Sequence, residues 1–322
     1  MQRTRVGVLR GGVSSEYEVS LKTGDAVLYG LSSDKHIAYD ILITKDGQWH
    51  MNGFPVRPEK VVRNVDVIFN SLHGEYGEDG KVQQMLEALN VPYTGSRIVP
   101  SAVAMNKDLS KKCFEFYGIQ TPKSKTIKRG EDVLQASNFI FTKMYAPYIV
   151  KPVSEGSSLG VRVVRSFENL VSVVNETLEK NKALLVEEYI QGREVTCAVV
   201  DGLESNKTFA LPLLEIITPD NDEILSYEAR YGGKAMKVSP ANIEQERTQT
   251  IQRMAVDAHN KVGLRHFSTA DFIVSPRGIY LLELNSQPGL SEGSSMSTIL
   301  KAGGFEMSEF LDYLIELALL RK

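Results

Sequence analysis

Along the chain, short apolar runs bounded by Gly, Pro and Asn alternate with stretches whose apolar residues recur every three or four positions. The first pattern predicts strands and the second helices. Val6-Gly7-Val8-Leu9 reads as a buried parallel strand, and Gly11–Ser15 leads from it into a helix carrying Leu21, Ala26 and Leu28. That is the strand–loop–helix opening of an α/β domain. Ile41-Leu42-Ile43 and Val65–Phe69 are further strands, the second closed by Asn70, and Val82, Met85, Leu86 and Leu89 form the stripe of the next helix. Val91–Ser96, punctuated by Pro and Gly, reads as a linker. One helix is predicted through Met105–Lys112, and strands at Tyr148–Pro152, Val161–Val164, Leu184–Ile190 and Val195–Val200. Ile251, Met254, Ala255, Ala258 and Val262 mark an amphipathic helix that Gly263 stops, and the closing helix carries Phe310, Leu311, Leu314 and Leu317.

One strand pair organises the rest. Ser268–Val274 and Ile279–Asn285 are apolar runs joined through Ser275-Pro276-Arg277-Gly278, a β-hairpin signal. A three-residue loop Pro276-Arg277-Gly278 pairs Ser275 with Ile279. Asp271 then lies opposite Glu283, and Thr269 opposite Asn285. Strand side chains alternate faces, so these four share one. Two carboxylates and an amide oxygen among apolar neighbours admit two readings. One is a solvated strand face with scattered acids. The other is a site for a hard divalent cation such as Mg²⁺, which offsets the cost of buried like charge.

Composition narrows the class. The 322 residues hold two or three domains with real cores, and 42% hydrophobic with 24% charged residues is a globular balance. A formal charge of −3 gives no electrostatic case for nucleic acid or an anionic membrane. Cys113 and Cys197 are the only cysteines, read as small buried side chains in a reducing compartment rather than as a disulfide or a nucleophile. The N-terminus has no signal-peptide core and no run is long enough to span a membrane. A soluble cytoplasmic protein is expected.

The loops after strands carry the remaining chemistry. Glu16, on the loop after the first strand, is either a solvated acid or a carboxylate that holds a substrate ammonium. Ser71–Gly80, with His73, follows a strand at the edge where ligands sit in open α/β sheets. His73 is there a substrate contact or a structural ring. Lys151-Pro152 and Glu155-Gly156-Ser157-Ser158-Leu159-Gly160 join two strands, unlike a Walker loop. That loop is an ordinary turn or a flap that closes over phosphates through backbone N–H groups. Ser226–Lys234, polar and glycine-rich, is a passive loop or a lid.

Together these stretches resemble the ATP-grasp enzymes, and within them the D-alanine–D-alanine ligases. The resemblance rests on His73-Gly74 with Gly77-Glu78-Asp79-Gly80, Lys151-Pro152 with Glu155-Gly156-Ser157-Ser158, and Glu283-Leu284-Asn285 with Pro288-Gly289, in the family's order over nearly the whole chain. It implies a mixed α/β, three-domain ATP-grasp architecture with an N-terminal parallel α/β domain, divided here at residues 1–97, 98–186 and 187–322. It implies ATP and two Mg²⁺ ions, amino-acid substrates, a homodimer, and joining of two D-alanines for peptidoglycan synthesis. By the same resemblance, Lys107, Lys151 and Ser158 match phosphate contacts, Glu187, Tyr189 and Ile190 adenine contacts, and Glu194 a ribose contact. Asp271, Glu283 and Asn285 match the metal ligands. Glu16 matches the holder of the first amino acid's ammonium, with Ser157 and Tyr231 as its lid-closing partners. Gly289 matches an amide facing the oxyanion, Ser294 a contact to the second carboxylate, and His73 a substrate contact.

Departures from the family concentrate on the acceptor half. Thr269 stands where an Arg is usual, Arg230 replaces the lid lysine, Asn106 replaces an Asp, and Ser295 and Ser297 replace an apolar residue and a proline. Three activities fit: D-alanine–D-alanine ligation, ligation to a different acceptor, and nucleotide binding with impaired turnover.

Overall fold

The computed structural model describes residues 2–156, 160–203, 207–218 and 235–320. They build three sheets, of five, four and six strands. The N-terminal sheet comprises β1 (Thr4–Gly11), β2 (His36–Ile43), β3 (Trp49–Met51), β4 (Phe54–Pro55) and β5 (Val67–Asn70) in the order β4-β3-β2-β1-β5. β1 pairs in parallel with both β2 and β5, as its unbroken apolar run predicts. Helices α1 (Tyr17–Gly30) and α2 (Pro58–Val62) connect these strands, and α3 (Lys81–Ala88) follows β5.

Helix α1 forms where expected but buries another stripe. Ser20, Thr23, Gly24 and Val27 face inward, while Leu21, Ala26 and Leu28 are only partly covered. Gly24 is required because the Arg10 side chain lies where its Cβ would go, with atoms 2.6 Å away. Arg10 in turn binds Asp25 and Asp40. A polar clamp seats this helix together with buried Val27. Val91–Ser96 is not a loose linker either. Tyr93 bridges Ile68 in parallel, and the Gly95 N–H donates to buried His266 Nδ1 at 2.9 Å.

The predicted helix through Met105–Lys112 is two helices, α4 (Ile98–Met105) and α5 (Lys107–Phe116). Asn106 breaks the run with extended backbone and caps α5, accepting from the N–H groups of Asp108 and Leu109. The second sheet follows, in the order β6-β9-β7-β8: β6 (Ser124–Lys128), β7 (Tyr148–Pro152), β8 (Arg162–Val164) and β9 (Ala183–Glu188). Helices α6 (Val133–Lys143) and α7 (Phe167–Lys180) cover its apolar face.

The third sheet runs β13-β12-β10-β14-β15, with β11 (Thr208–Ala210) paired to β10. Its strands are β10 (Arg193–Asp201), β12 (Leu214–Ile217), β13 (Met236–Val238), β14 (Phe267–Ser275) and β15 (Gly278–Asn285). Helix α8 (Gln245–Val262), stopped by left-handed Gly263, packs on one face with α5. Helices α9 (Ser295–Ala302) and α10 (Met307–Leu320) follow, and their apolar residues share a core with Val6, Val8 and Phe69 of the N-terminal sheet and Val27 of α1.

The β14–β15 register corrects the turn and keeps the pairing. Ser275 pairs with Gly278, so the loop is the two-residue Pro276-Arg277 rather than the predicted three. A bulge at Leu282 recovers the lost residue, and Asp271 faces Glu283 and Thr269 faces Asn285 as expected.

Candidate active site

Two cavities meet at the edge of the third sheet. One, of about 340 Å³, lies between the second and third sheets. The other, of about 730 Å³, lies between the third sheet and the N-terminal loops. Lys107, Glu155, Asp271 and Glu283 line both.

The smaller cavity combines apolar walls with buried charge. Ile149, Ile190, Ile216 and Leu282 line it, together with Tyr189 and Glu194. At its inner end Lys151, on β7, lies diagonally across the ladder from Glu187 on β9. Lys151 Nζ sits 2.6 Å from Glu187 Oε2, and Lys111 Nζ of α5 sits 2.7 Å from Oε1. Burial alone pushes the Glu187 carboxyl up, but the two lysines overcome it and hold the group below its ordinary value. Burial pushes Lys111 down, whereas for Lys151 the pull of Glu187 and Glu283 outweighs burial and raises it. With all three charged, the triad holds two cations and one anion. A net positive charge thus faces the cavity, suited to a polyanion.

At the junction, Asp271 and Glu283 project from opposed positions of β14 and β15. The bulge turns both Leu282 and Glu283 toward the cavities, which strict alternation forbids. Thr196 Oγ1 donates to Asp271 Oδ1 at 2.6 Å. Lys107 Nζ lies 3.3 Å from Glu283 Oε2 and donates to the Glu155 carbonyl at 2.6 Å. Asn285 Oδ1 accepts from the Gln287 N–H at 2.9 Å. The Gln287 amide donates to the Asn70 carbonyl at the end of β5. Two carboxylates and an amide oxygen are the donors a hard divalent cation takes. Among the described residues no group of three His, Cys, Asp or Glu offers a competing centre.

The larger cavity receives Glu16, His73, Thr269, Asn285, Gly289 and Ser294. A Cβ on Gly74 or on Gly156 would lie 2.7 Å from Glu16 Oε2, so both glycines make room for that carboxylate. His73 is buried, its Nε2 2.8 Å from Thr23 Oγ1 and its Nδ1 3.6 Å from Glu78 Oε1. Ser294 caps α9, its Oγ accepting from the Ser297 N–H at 3.1 Å. Ser157, Ser158, Arg230, Tyr231 and the candidate lid Ser226–Lys234 lie outside the described residues.

Sequence reasoning missed several groups. Lys111 was legible as the residue one helical turn after Lys107, on the same face. Arg193, bidentate to Glu215 at 2.6 Å and 2.6 Å, carried no motif signal. Neither did Lys237, whose Nζ donates to the Gly293 carbonyl at 2.6 Å.

Comparison with known proteins places this geometry. Residues 113–316 match the family described as D-ala D-ala ligase C-terminus, and residues 53–96 the D-ala D-ala ligase N-terminus. The D-alanine–D-alanine ligase of Pelotomaculum thermopropionicum is 35% identical over 98% of this chain and 96% of its own length. The structure of VanG D-Ala:D-Ser ligase from Enterococcus faecalis superposes with a TM-score of 0.86 at 30% identity, covering 98% of this chain and 100% of that one. The D-alanine–D-alanine ligase from Bacillus anthracis complexed with ATP gives a TM-score of 0.81 at 28% identity, covering 98% of both chains.

Proposed function

The chain belongs to the D-alanine–D-alanine ligase family, and on that footing we propose that it uses ATP to join two D-alanines for peptidoglycan synthesis. The observation that carries this reading is the meeting of two cavities at Lys107, Glu155, Asp271 and Glu283. One cavity suits a nucleotide, the other two small amino acids, and their junction is where phosphoryl transfer belongs.

The chemistry follows from a charge problem. A carboxylate is a poor electrophile at neutral pH. Transfer of the ATP γ-phosphoryl group to the first D-alanine carboxylate forms an acyl phosphate and ADP. The amine of the second D-alanine then attacks the carbonyl carbon, loses a proton, and phosphate leaves. In this reading Tyr189 and Ile190 hold the adenine, with Glu187 at its inner end, and Glu194 holds the ribose. Lys107, Lys151 and Ser158 meet the phosphates. Glu16 binds the first ammonium, supported by Ser157 and Tyr231, and Arg230 closes with the lid over the nucleotide. His73 walls the first substrate, the Gly289 N–H faces the oxyanion, and Ser294 contacts the second carboxylate. Asp271, Glu283 and Asn285 would hold Mg²⁺, which when bound neutralises charge on the transferring oxygens. The lid keeps water from the acyl phosphate.

We assign three domains at residues 1–97, 98–186 and 187–322, supported by the three separate sheets, and a homodimer working in the cytoplasm. No described helix is long and apolar enough to cross a membrane. Phosphate release from ATP in the presence of D-alanine, with mass detection of the dipeptide, tests the activity. Thr269 and the likeness to VanG favour one second reading, a different acceptor, and D-serine in the same assay decides it. ATP turnover without any dipeptide refutes both.

A further inference from the structure

Lys111 is a charge that the fold does not need for its own sake. Its side chain, on α5, is 2% exposed and lines neither of the cavities described above. Its Nζ lies 2.7 Å from Glu187 Oε1 and donates to Thr121 Oγ1 at 2.8 Å. Burying an ammonium so completely is unfavourable, and one carboxylate offsets one ammonium. Glu187 already has Lys151, whose Nζ lies 2.6 Å from its other oxygen. A second cation at the same carboxylate adds its own desolvation and its repulsion from the first. Burial, with the repulsion of Lys151, accordingly outweighs the pull of Glu187 and holds Lys111 below its ordinary value. Glu115, one turn further along α5, is exposed, so water screens its pull on the ammonium.

The second cation has its use on the cavity side. Of the three groups, Glu187 and Lys151 line the smaller cavity, and Lys111 lies behind them. Without Lys111, Glu187 would hold the Lys151 ammonium and cancel its charge at the cavity wall. With Lys111 behind it, the carboxylate is shared between two ammonium groups, and Lys151 presents charge to an entering anion. The Lys111 contact suits that role. It is an ion pair without a directed hydrogen bond to Glu187 Oε1, so it acts through charge.

We propose that Lys111 is a positioning residue for the nucleotide phosphates, which balances Glu187 from behind and leaves the charge of Lys151 to ATP. This rests on the nucleotide reading of the smaller cavity given above. Stability and affinity then respond in opposite ways to loss of the Lys111 charge. Glu187 and Lys151 remain as a balanced buried pair, so the fold loses nothing. The phosphates lose an unshared ammonium. A lysine that merely braced the fold would lower both together.

The test compares a ligand that has phosphates with one that lacks them. Isothermal titration calorimetry reads Kd for ADP with Mg²⁺ and for adenosine, in wild type and in Lys111→Gln, whose amide keeps a donor for Thr121. The two ligands share base and ribose, so the ratio of their Kd values reports the phosphates and not how well the pocket is formed. Lys111→Gln is expected to weaken ADP at least tenfold and adenosine no more than twofold, with the Tm of the unliganded protein equal to or above that of wild type. Lys111→Met, uncharged and of similar length, is expected to give the same split. ADP weakened no more than adenosine overturns the role of Lys111 and leaves the nucleotide reading intact. A lowered Tm with equal loss of both ligands, or failure of both variants to fold, contradicts the expected stability and also overturns it. Failure of wild type to bind ADP overturns the nucleotide reading, and the Lys111 proposal with it. Wild-type protein that binds ADP and forms no dipeptide overturns the ligase reading alone, and the Kd ratio still decides Lys111.

Discussion

Glu283 and Glu187 are both carboxylates beside lysines, yet their side chains are 29% and 3% exposed. That difference separates what each substitution does. Glu283→Gln removes one anionic oxygen from the junction of the cavities and leaves little buried charge uncompensated. We expect ATP-dependent phosphate release to fall by at least ~100-fold while the urea midpoint changes little. Glu187→Gln leaves Lys111 and Lys151 in one buried site without their anion. Breaking a buried pair in this way costs about 3–5 kcal/mol, so the urea midpoint should drop sharply along with activity. Equal stability loss in the two variants would refute this division. Thr269 gives the complementary experiment, a gain. It is buried in the floor of the larger cavity opposite Asn285. A short neutral side chain there cannot support a developing oxyanion as a guanidinium does. Thr269→Arg should raise kcat about 10- to 100-fold, and kcat more than KM, because the oxyanion exists only along the reaction path. Rapid native turnover with D-alanine would refute it.

At the scale of elements, Asn106 shows how a local cap places a functional side chain. It accepts from two N–H groups of α5, and Lys107 is the first residue of that helix. Asn106→Ala should cost about 1 kcal/mol of stability and raise the KM for ATP as Lys107 loses its anchor. Asn106→Asp, an equally good cap, should retain both. Thermal melting with steady-state kinetics separates the outcomes. The cap was visible in the sequence only as a departure from a motif, so the break between α4 and α5 was not. The hairpin is instructive in the same way. Alternation and the Pro-Arg-Gly signal gave Asp271 opposite Glu283, but through a loop one residue too long. A bulge at Leu282 makes up the difference, and no residue type in β15 announces it. The pairing of the hairpin acids was legible because alternation fixes them on one face of two strands, whereas Lys151 and Glu187 stood out only through the family resemblance. Lys237 and Arg193 were not legible, because their partners Gly293 and Glu215 come from distant segments.

At the scale of the whole molecule, the last helix belongs to the first sheet as much as to its own. Leu311, Leu314 and Leu317 of α10 share a core with Val6, Val8 and Phe69. That core fixes the N-terminal loops carrying Glu16 and His73 over the third sheet. A polar clasp closes it at the edge. Asp312 accepts from Lys35 Nζ at 2.7 Å, from His36 Nε2 at 2.8 Å and from Ser32 Oγ at 3.2 Å. An ionised carboxylate only accepts, so His36 carries its proton on Nε2. Burial alone pushes the Asp312 carboxyl up, but the bonds from Lys35 and His36 outweigh it and hold the group below its ordinary value. A carboxyl depressed in the folded state adds stability that is fully present above its unfolded pKa. That stability is lost as pH falls through the folded value. Asp312→Asn should therefore lower Tm at pH 7 by a few degrees, for a loss of about 1.5–3 kcal/mol in hydrogen bonds to charge. Below about pH 4, the ordinary aspartate range, the unfolded carboxylate takes up its proton and the gap between the two melting curves should narrow, closing once pH falls below the depressed folded value. Differential scanning calorimetry from pH 3 to pH 8 reads both limbs. A gap in Tm that persists undiminished at pH 3 would mean that the shape of Asp312, and not its charge, holds the helix to the sheet.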